Sequence, residues 1–455
     1  MVGHHDADVI VIGGGLAGSD AAWVAANAGV RVLLYEMRPR RSTPAHKTGH
    51  LAELVCSNSL KSNQPDTAPW MLKQEMKRLG SLILPCAERA AVPSGGALAV
   101  DREAFAAGVT EAIVHHPRIT LVREEVTEIP DGVPVVIATG PLTSEALAAR
   151  IQELTGTREL YFYDAASPIV VGETIDRTIA WEGSRYDKGD PSGYLNCPLD
   201  AEQYRRLREE LVHAELVPLK DFEPIHLFEG CLPVEELARR GELTLAYGPL
   251  KPVGLRDPRT GRRPFAVVQL RRENRAGTLY SMVGFQTRLT WPEQRRIFRM
   301  IPGLEQAEFV RLGVMHRNTY LHSPVLLEPT LRLRPERARV PRRSPVFFAG
   351  QITGVEGYVE SAATGIVAGW NAARAARGEP LLMLPPETML GALLDYIANG
   401  PPDNFQPMNA NLGLLPPLDA PIRRRDQRHR ALVERGLRLI ERIAADVVGV
   451  PSVAV

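Results

Sequence analysis

Two of the four cysteines stand in surroundings that favour a reactive thiolate. Cys231 lies in EGCLPVEELARRGE, where Pro233 with Glu235 and Glu236 marks a helix start. Proline is tolerated in a first turn and carboxylates favour that end. A thiol beside the positive end of a helix dipole has a lowered pKa. Cys56 lies in HKTGHLAELVCSNSLKS, between an apolar half-turn and Ser57-Asn58-Ser59, with His46, Lys47, His50 and Lys61 close in sequence to add positive charge. Cys86, after LILP, reads as a small buried hydrophobe. Cys197 is compatible with either reading. The four are far apart and form no CxxC, so in a reducing compartment those that matter do so as thiols. His46 and His50 have helical spacing, but Thr48-Gly49 breaks the helix between them and no third ligand is evident; no metal site is expected.

A second constellation binds rather than reacts. ADVIVIGGGLAGSDAAWVAANAGVRVLLYE carries an apolar run (Val9 to Ile12) into Gly13-x-Gly15-x-x-Gly18, then a helical pattern through Asn27, a break at Gly29, and a second apolar run ending at Glu36. Gly13 permits the tight turn, Gly15 lets the backbone approach a pyrophosphate, and Gly18 lets helix and strand pack closely. The phosphates then meet the positive end of the helix. Glu36, at the tip of the second strand, is placed for the ribose hydroxyls and disfavours a 2′-phosphate, so FAD or NAD fits better than NADP.

These residues need a scaffold, and the chain is long enough for two or three domains. Hydrophobic content of 44% and charged content of 24% are those of an ordinary soluble protein. No apolar run approaches a membrane span, and MVGHHDAD lacks the features of a signal peptide, which together predict a cytoplasmic protein. A net charge of +1 excludes a uniformly basic nucleic-acid-binding surface. Lysine occurs only seven times, so the positive charge is nearly all arginine, clustered at Arg262/Arg263, Arg271/Arg272/Arg275, Arg295/Arg296/Arg299, Arg332 to Arg343 and Arg423 to Arg430. Such clusters suit bidentate phosphate contact, or they are solvated helix faces of an arginine-biased protein.

Three separated segments read as one nucleotide-binding domain: the N-terminal unit, then a helix from Arg102 followed by RITLVREEVTEI and VPVVIATGP, then SPVFFAGQITGVEGYVESAATGIVAGWNAARAA. Flavoproteins of the two-dinucleotide type close an FAD site with such pieces. Between about Tyr161 and Ser323 short alternating runs (PIVVGET, TIAWEG, FAVVQLRRE, TLYSMVGF) predict antiparallel strands, mixed with helices at Ala201 to Ala214 and Val234 to Arg240. Beyond Ala376 come a Pro-rich passage, a helix at Thr388 to Asn399 and a charged helix from Arg423 to about Ala445. The expected fold is α/β: a discontinuous Rossmann-like FAD-binding domain over residues 1–160 and 324–455, with a mixed α+β domain inserted at 161–323.

Taken together, GGGLAG, ELVCSNSLKS, EGCLPVEELA, AYGPLKPVGL and GQITGVEGYVESAATG resemble one family, the bacterial folate- and FAD-dependent tRNA (uracil-5-)-methyltransferases. The similarity spans most of the chain, and its specific part is the pair of cysteine peptides. The flavoprotein that builds carboxymethylaminomethyl groups on wobble uridines is similar at both ends of the FAD domain. Its members are longer, with a C-terminal helical extension; that difference and the Cys231 peptide favour the methyltransferase. The resemblance implies 5-methyluridine formation at position 54 of the tRNA T-loop, with methylenetetrahydrofolate as one-carbon donor, FAD as redox cofactor and NADH or NADPH as reductant. It implies Cys231 as nucleophile towards C6 and Cys56 as acid/base partner, with the reverse order open. It assigns cofactor contacts to Gly13, Gly14, Gly15, Leu16, Ala17, Gly18, Glu36, Gly350, Gly354 and Gly357, with Tyr358 stacking near flavin or folate. Arg271, Arg272, Arg275 and the C-terminal helix are candidates for tRNA contact. The competing readings are a small-molecule FAD oxidoreductase with structural cysteines and a non-catalytic RNA-binding flavoprotein. Oligomeric state stays open.

Overall fold

The computed structural model describes residues 7–43, 45–157, 160–165, 167–218, 232–313 and 315–448, with 160–165, 315–318, 404 and 448 described for backbone only. The first part of the chain runs β1 (Val9–Ile12), α1 (Leu16–Asn27), β2 (Val32–Tyr35), β3 (Ser59–Ser62), α2 (Ala68–Arg78), α3 (Ile83–Arg89), β4 (Ala91–Val92), β5 (Ala97–Val100), α4 (Arg102–His115), β6 (Ile119–Val122), β7 (Val135–Ile137) and α5 (Glu145–Thr155). The middle part runs β8 (Leu160–Ala165), β9 (Ile169–Val171), β10 (Trp181–Glu182), β11 (Tyr194–Leu199), α6 (Ala201–His213), α7 (Val234–Arg239), α8 (Thr244–Tyr247), β12 (Ala266–Arg272), β13 (Leu279–Met282), α9 (Trp291–Phe298), β14 (Phe309–Arg311) and β15 (Met315–Tyr320). The last part holds α10 (Ser323–Leu326), β16 (Val346–Phe348), α11 (Tyr358–Ala376), α12 (Met389–Asn399) and α13 (Arg425–Val448).

Burial on both faces explains the central sheet. β1 (VIVI), β2 (VLLY) and β7 (VVI) are buried at every position, the continuous apolar pattern of a parallel sheet covered on both sides. The order is β16-β7-β1-β2-β6 with every neighbour parallel. Helices α1 and α11 cross against one another over small residues. A Cβ at Gly365 would sit 2.1 Å from the Ala17 carbonyl oxygen, and one at Gly369 2.4 Å from that of Ala21. The core of this body draws on both ends of the chain, from Val9 to Leu154 and from Leu321 to Ile440.

The middle part forms its own core, from Val170 to Ala307, under a six-stranded sheet of order β10-β11-β12-β13-β9-β14 with antiparallel pairs. Its helix α6 starts at a capping box: the Asp200 carboxylate accepts from the Glu202 and Gln203 amides, and Gln203 accepts from the Asp200 amide. The chain enters this body along β8 and leaves along β15, and the two pair antiparallel from Leu160↔Tyr320 to Ala165↔Met315. The fold is a discontinuous dinucleotide-binding α/β unit with an inserted α+β unit. Among the described residues no helix is long and apolar enough to cross a membrane.

Candidate active site

The glycine turn is built as its chemistry requires. Gly13 has φ +102°, and a Cβ there would lie 2.6 Å from the Ala138 carbonyl oxygen, so only glycine lets β1 turn against β7. A Cβ on Gly18 would lie 1.7 Å from the Gly13 oxygen, whereas one on Gly15 would meet nothing within 4 Å. Gly15 therefore presents bare backbone to open space at the start of α1. That space is a cleft of about 1050 Å³, part of it open to solvent, lined by Gly13, Gly15, Leu16, Ala17, Glu36 and Gly350 among others.

Glu36 ends β2 and is 6% exposed. Its Oε2 accepts from the Gly14 amide (3.0 Å) and Arg38 Nη2 (3.2 Å), and its Oε1 from the Arg38 amide and Nε (both 2.9 Å). Burial pushes the carboxyl's pKa up, but the Arg38 guanidinium and these donors outweigh burial and hold it below the usual glutamate value. Arg38 also reaches Glu53 through Nη1 (3.0 Å), so an ion-paired shelf closes this end of the cleft. Gly14 faces Leu51 and the Glu36 carboxylate. Gly354 packs against Phe405, with a virtual Cβ at 2.6 Å from the ring, and does not line the cleft.

At the opposite end Gly357 (φ +119°) caps α11, and a Cβ there would collide with Glu360 Oε2 and Lys61 Nζ at 2.2 and 2.6 Å. Tyr358, the next residue, lines the cleft. Its hydroxyl oxygen accepts hydrogen bonds from the amides of Cys56 (2.7 Å) and Ser57 (3.2 Å). Burial, with the Cys56 thiol adding to it, raises the phenol pKa well above its ordinary value, so Tyr358 stays neutral. Val55, beside Cys56, also lines the cleft. Cys56 is thus brought to the dinucleotide cleft from a loop far from Tyr358 in sequence.

The same loop is gripped from the other side. Arg102, the first residue of α4, donates to the carbonyls of Leu54 (2.9 Å) and Cys56 (3.1 Å) and, through Nε, to Glu273 Oε2 (2.7 Å). Arg311, in β14, donates to the carbonyls of Val55 and Cys56 (both 2.9 Å). Asn58 joins the two bodies further, donating to the carbonyls of Val100 and Arg272 (both 3.0 Å) and accepting from Arg271 Nε (2.9 Å). None of Arg102, Glu273, Arg311 and Asn58 stands out in the sequence. Arg102 reads there only as a helix start, and the contacts depend on pairings across most of the chain.

Cys231 lies outside the described residues. The helix expected beside it is α7, with Pro233 at its N-cap rather than inside the first turn, and Glu235 and Glu236 in that turn. Cys86 is buried, and burial pushes its thiol up to about 11; Cys197 is wholly buried and pushed up to about 12. The three arginines expected at tRNA sit along the junction of the two bodies. Arg271 turns to Asn58, Arg272 donates to the Asn274 carbonyl (3.1 Å), and the exposed Arg275 reaches the Arg89 carbonyl. Other clustered arginines are tied into the fold: Arg296 pairs with Glu293 and Glu210, and Arg342 binds the Ile129 and Pro130 carbonyls.

A glycine-turn cleft ending in a buried acidic strand tip and closed by a late helix defines a flavoprotein of the dinucleotide-binding class. The family described as Glucose inhibited division protein A (GIDA) matches residues 8–380. The methylenetetrahydrofolate–tRNA-(uracil-5-)-methyltransferase TrmFO of Heliobacterium modesticaldum is 60% identical over 438 residues, covering 96% of this chain and 98% of its own length. That of Geobacter sulfurreducens is 58% identical over 439 residues, covering 96% and 99%. The solved structure of Aquifex aeolicus GidA superposes with a TM-score of 0.71 at 18% identity, covering 99% of this chain and 75% of that one, a likeness of fold alone. The chain belongs to the TrmFO family within this flavoprotein class.

FAD and methylenetetrahydrofolate are the family's cofactor and co-substrate. The residues fit a dinucleotide: Gly15 leaves its backbone bare to the cleft where a pyrophosphate must come close, and the Glu36 carboxylate lines the same cleft.

Proposed function

We propose that this chain, an FAD- and folate-dependent tRNA (uracil-5-)-methyltransferase, forms 5-methyluridine at position 54 in the T-loop, with NADH or NADPH as reductant, and that Cys231 and Cys56 share the work on the uracil. The observation that carries the reading is the Cys56 amide on the Tyr358 hydroxyl at 2.7 Å, with Tyr358 in the wall of the dinucleotide cleft.

C5 of uracil is a poor nucleophile. Addition of the Cys231 thiolate to C6 makes C5 an enolate-like carbon that attacks the folate-borne methylene group. Cys56 takes the C5 proton as a base while the bond from the methylene carbon to the folate nitrogen breaks and tetrahydrofolate leaves; two-electron reduction of the exocyclic methylene to methyl then expels Cys231 from C6 as thiolate. FAD, when bound and reduced, supplies the electrons that convert methylene to methyl. Gly13, Gly15, Leu16 and Ala17 present backbone at the start of α1 to the pyrophosphate, with Gly14 and Gly18 shaping the turn behind them; Glu36 takes ribose hydroxyls, and Gly350 and Gly357 bring the last helix to the cleft. Gly354 serves the packing of that segment on Phe405. Tyr358 holds the Cys56 loop against the cleft wall. Arg271, Arg272 and Arg275, at the junction beside that loop, border the path of an extruded uridine and its backbone.

Incubation with undermodified tRNA, methylenetetrahydrofolate and NAD(P)H, followed by nucleoside analysis, tests this. New 5-methyluridine is expected, lost in Cys56→Ala and in Cys231→Ala while FAD stays bound. NAD(P)H oxidation without change to the RNA favours a small-molecule oxidoreductase, and activity surviving both substitutions ends the two-thiol reading.

A further inference from the structure

The geometry points to Arg102 and Arg311 as a two-handed clamp, one hand from each body, that positions the Cys56 peptide and keeps its sulfur in the thiolate form. This rests on the role given above to Cys56 and goes beyond it by assigning positioning residues.

Between them the two guanidiniums donate to three consecutive carbonyls, Leu54, Val55 and Cys56, and both grip the Cys56 carbonyl. A single arginine would orient the loop; two, one from each body and both on the Cys56 carbonyl, fix it. The electrostatics of the enclosure then bear on the sulfur. Among the described residues Glu273 is the one carboxylate bound directly to the clamp, its side chain 3% exposed and paired to Arg102. Among the described residues two part-buried positive charges face one negative, an excess of one, and a charge withdrawn from water without compensation is costly. A group able to supply the missing negative charge is the Cys56 thiol, which bears electrostatically on both arginines, by losing its proton.

Among the described residues, Glu53 at the start of the loop is engaged by Arg38, which it shares with Glu36, and by the Lys47 and Thr48 amides; the remaining charged and titratable groups facing the loop are these. Tyr358 on α11 is held neutral by burial. Lys61 on β3 and Glu360 on α11 pair with each other at 2.6 Å. Arg271 on β12 binds Asn58 and adds positive charge. Burial draws Arg311 below its ordinary pKa and the Arg102 charge adds to this, while the Cys56 sulfur works in the opposite sense on both arginines. Both stay protonated at neutral pH. Two atoms of the clamp, Arg311 Nε and Glu273 Oε1, are buried with no hydrogen-bond partner among the described residues. Such a cluster is retained at a cost, which argues for a role beyond holding two bodies together.

The test is the pH dependence of Cys56 alkylation in the FAD-loaded enzyme, read by mass spectrometry on the Cys56 peptide after treatment with iodoacetamide. Cys86 and Cys197 are buried with raised pKa values and stay unreactive. In the wild type the midpoint should lie well below the ordinary thiol value of about 8.5. Arg311→Met should raise it by about one pH unit or more, and Arg311→Lys should keep it near wild type. Glu273→Gln, which removes the negative charge, should lower it. Opposite movements in Arg311→Met and Glu273→Gln cannot come from simple loosening of the loop. A midpoint unmoved by both changes, or raised by both, overturns the clamp. If Arg311→Met loses its flavin and fails to fold, Glu273→Gln and Arg311→Lys decide alone, and an unchanged midpoint in Glu273→Gln overturns it. Methylation read on the same samples separates the two ideas: shifted midpoints without any 5-methyluridine in the wild type count against the function, and methylation with unshifted midpoints counts against the clamp.

Discussion

Glu36 shows how a residue can have a fuller role than its position predicts. The sequence places an acid at a strand tip for ribose. The structure adds that its two oxygens take Gly14 and Arg38 donors, so the same carboxylate holds the glycine turn and closes the cleft. Glu36→Ala should therefore act twice. Removing one partner of a buried ion pair costs about 3–5 kcal/mol, and the ribose contact proposed for Glu36 goes with it. The expected result is a lower melting temperature and loss of flavin absorbance on desalting; a variant that keeps its full flavin content would count against this site. Tyr358→Phe is the complementary case. It keeps the ring but leaves the Cys56 and Ser57 amides without their acceptor, a penalty of about 1–3 kcal/mol. Flavin content should hold while the methylation rate drops about tenfold or more; an unchanged rate would remove Tyr358 from the machinery. Motif residues such as Gly13, Glu36 and Cys56 were legible because local spacing carries their meaning. Arg102, Glu273 and Arg311 were not, because each is an ordinary charged residue until the fold brings it to one loop.

Elements were the most legible level, since period and punctuation decide them. The strand Val346–Phe348 and the α11 start after Gly357 fall where the apolar run and the glycines predict. What spacing could not show is how α1 and α11 meet. Gly365→Val would drive a side chain into the Ala17 carbonyl, 2.1 Å away even for a Cβ. Overpacking of this kind costs about 1–3 kcal/mol. Because α1 starts at the glycine turn, flavin affinity should fall together with thermal stability, and a stable variant with normal flavin binding would show that the crossing does not set the turn. On α2, Lys73 is 2% exposed, and its ammonium donates to the carbonyls of Leu60 (3.0 Å), Lys61 (3.5 Å) and Ser62 (2.8 Å), fixing β3. Burial, with Lys77 adding to it, pulls its pKa down from 10.5 to about 8. Between those values the unfolded chain binds more protons than the folded one, so this group makes stability rise with pH across that window. Melting followed through the window should show a steeper upward contribution in the wild type than in Lys73→Met; identical slopes would place the lysine's titration elsewhere.

At the scale of the molecule the sequence showed that the middle segment differs in period from its flanks, but not what the two bodies share. Every described residue lining the dinucleotide cleft, from Ile12 to Leu147 and from Gly350 to Ser361, lies outside the inserted body. Among the described residues the body reaches the Cys56 loop through Arg311, Glu273 and Arg271. Replacing residues 166–314 by a two-residue Asn-Gly turn joins Ala165 to its register partner Met315 as a hairpin. The shortened chain should still take up FAD and should form no 5-methyluridine. Failure to hold flavin, in a chain that folds, would show that the insert shapes the cleft from a distance.

The antiparallel pairing of β8 with β15 has a mechanical consequence. Departing and returning chain lie side by side, so the covalent attachment of the insert is a single narrow ribbon, the axis about which a swing would strain the host least. Such a swing would leave Arg102 in place and carry Arg311 and Glu273 away together. Parting the halves to admit a bulky polynucleotide and unfastening the latch on the sulfur-bearing loop would then be one and the same movement.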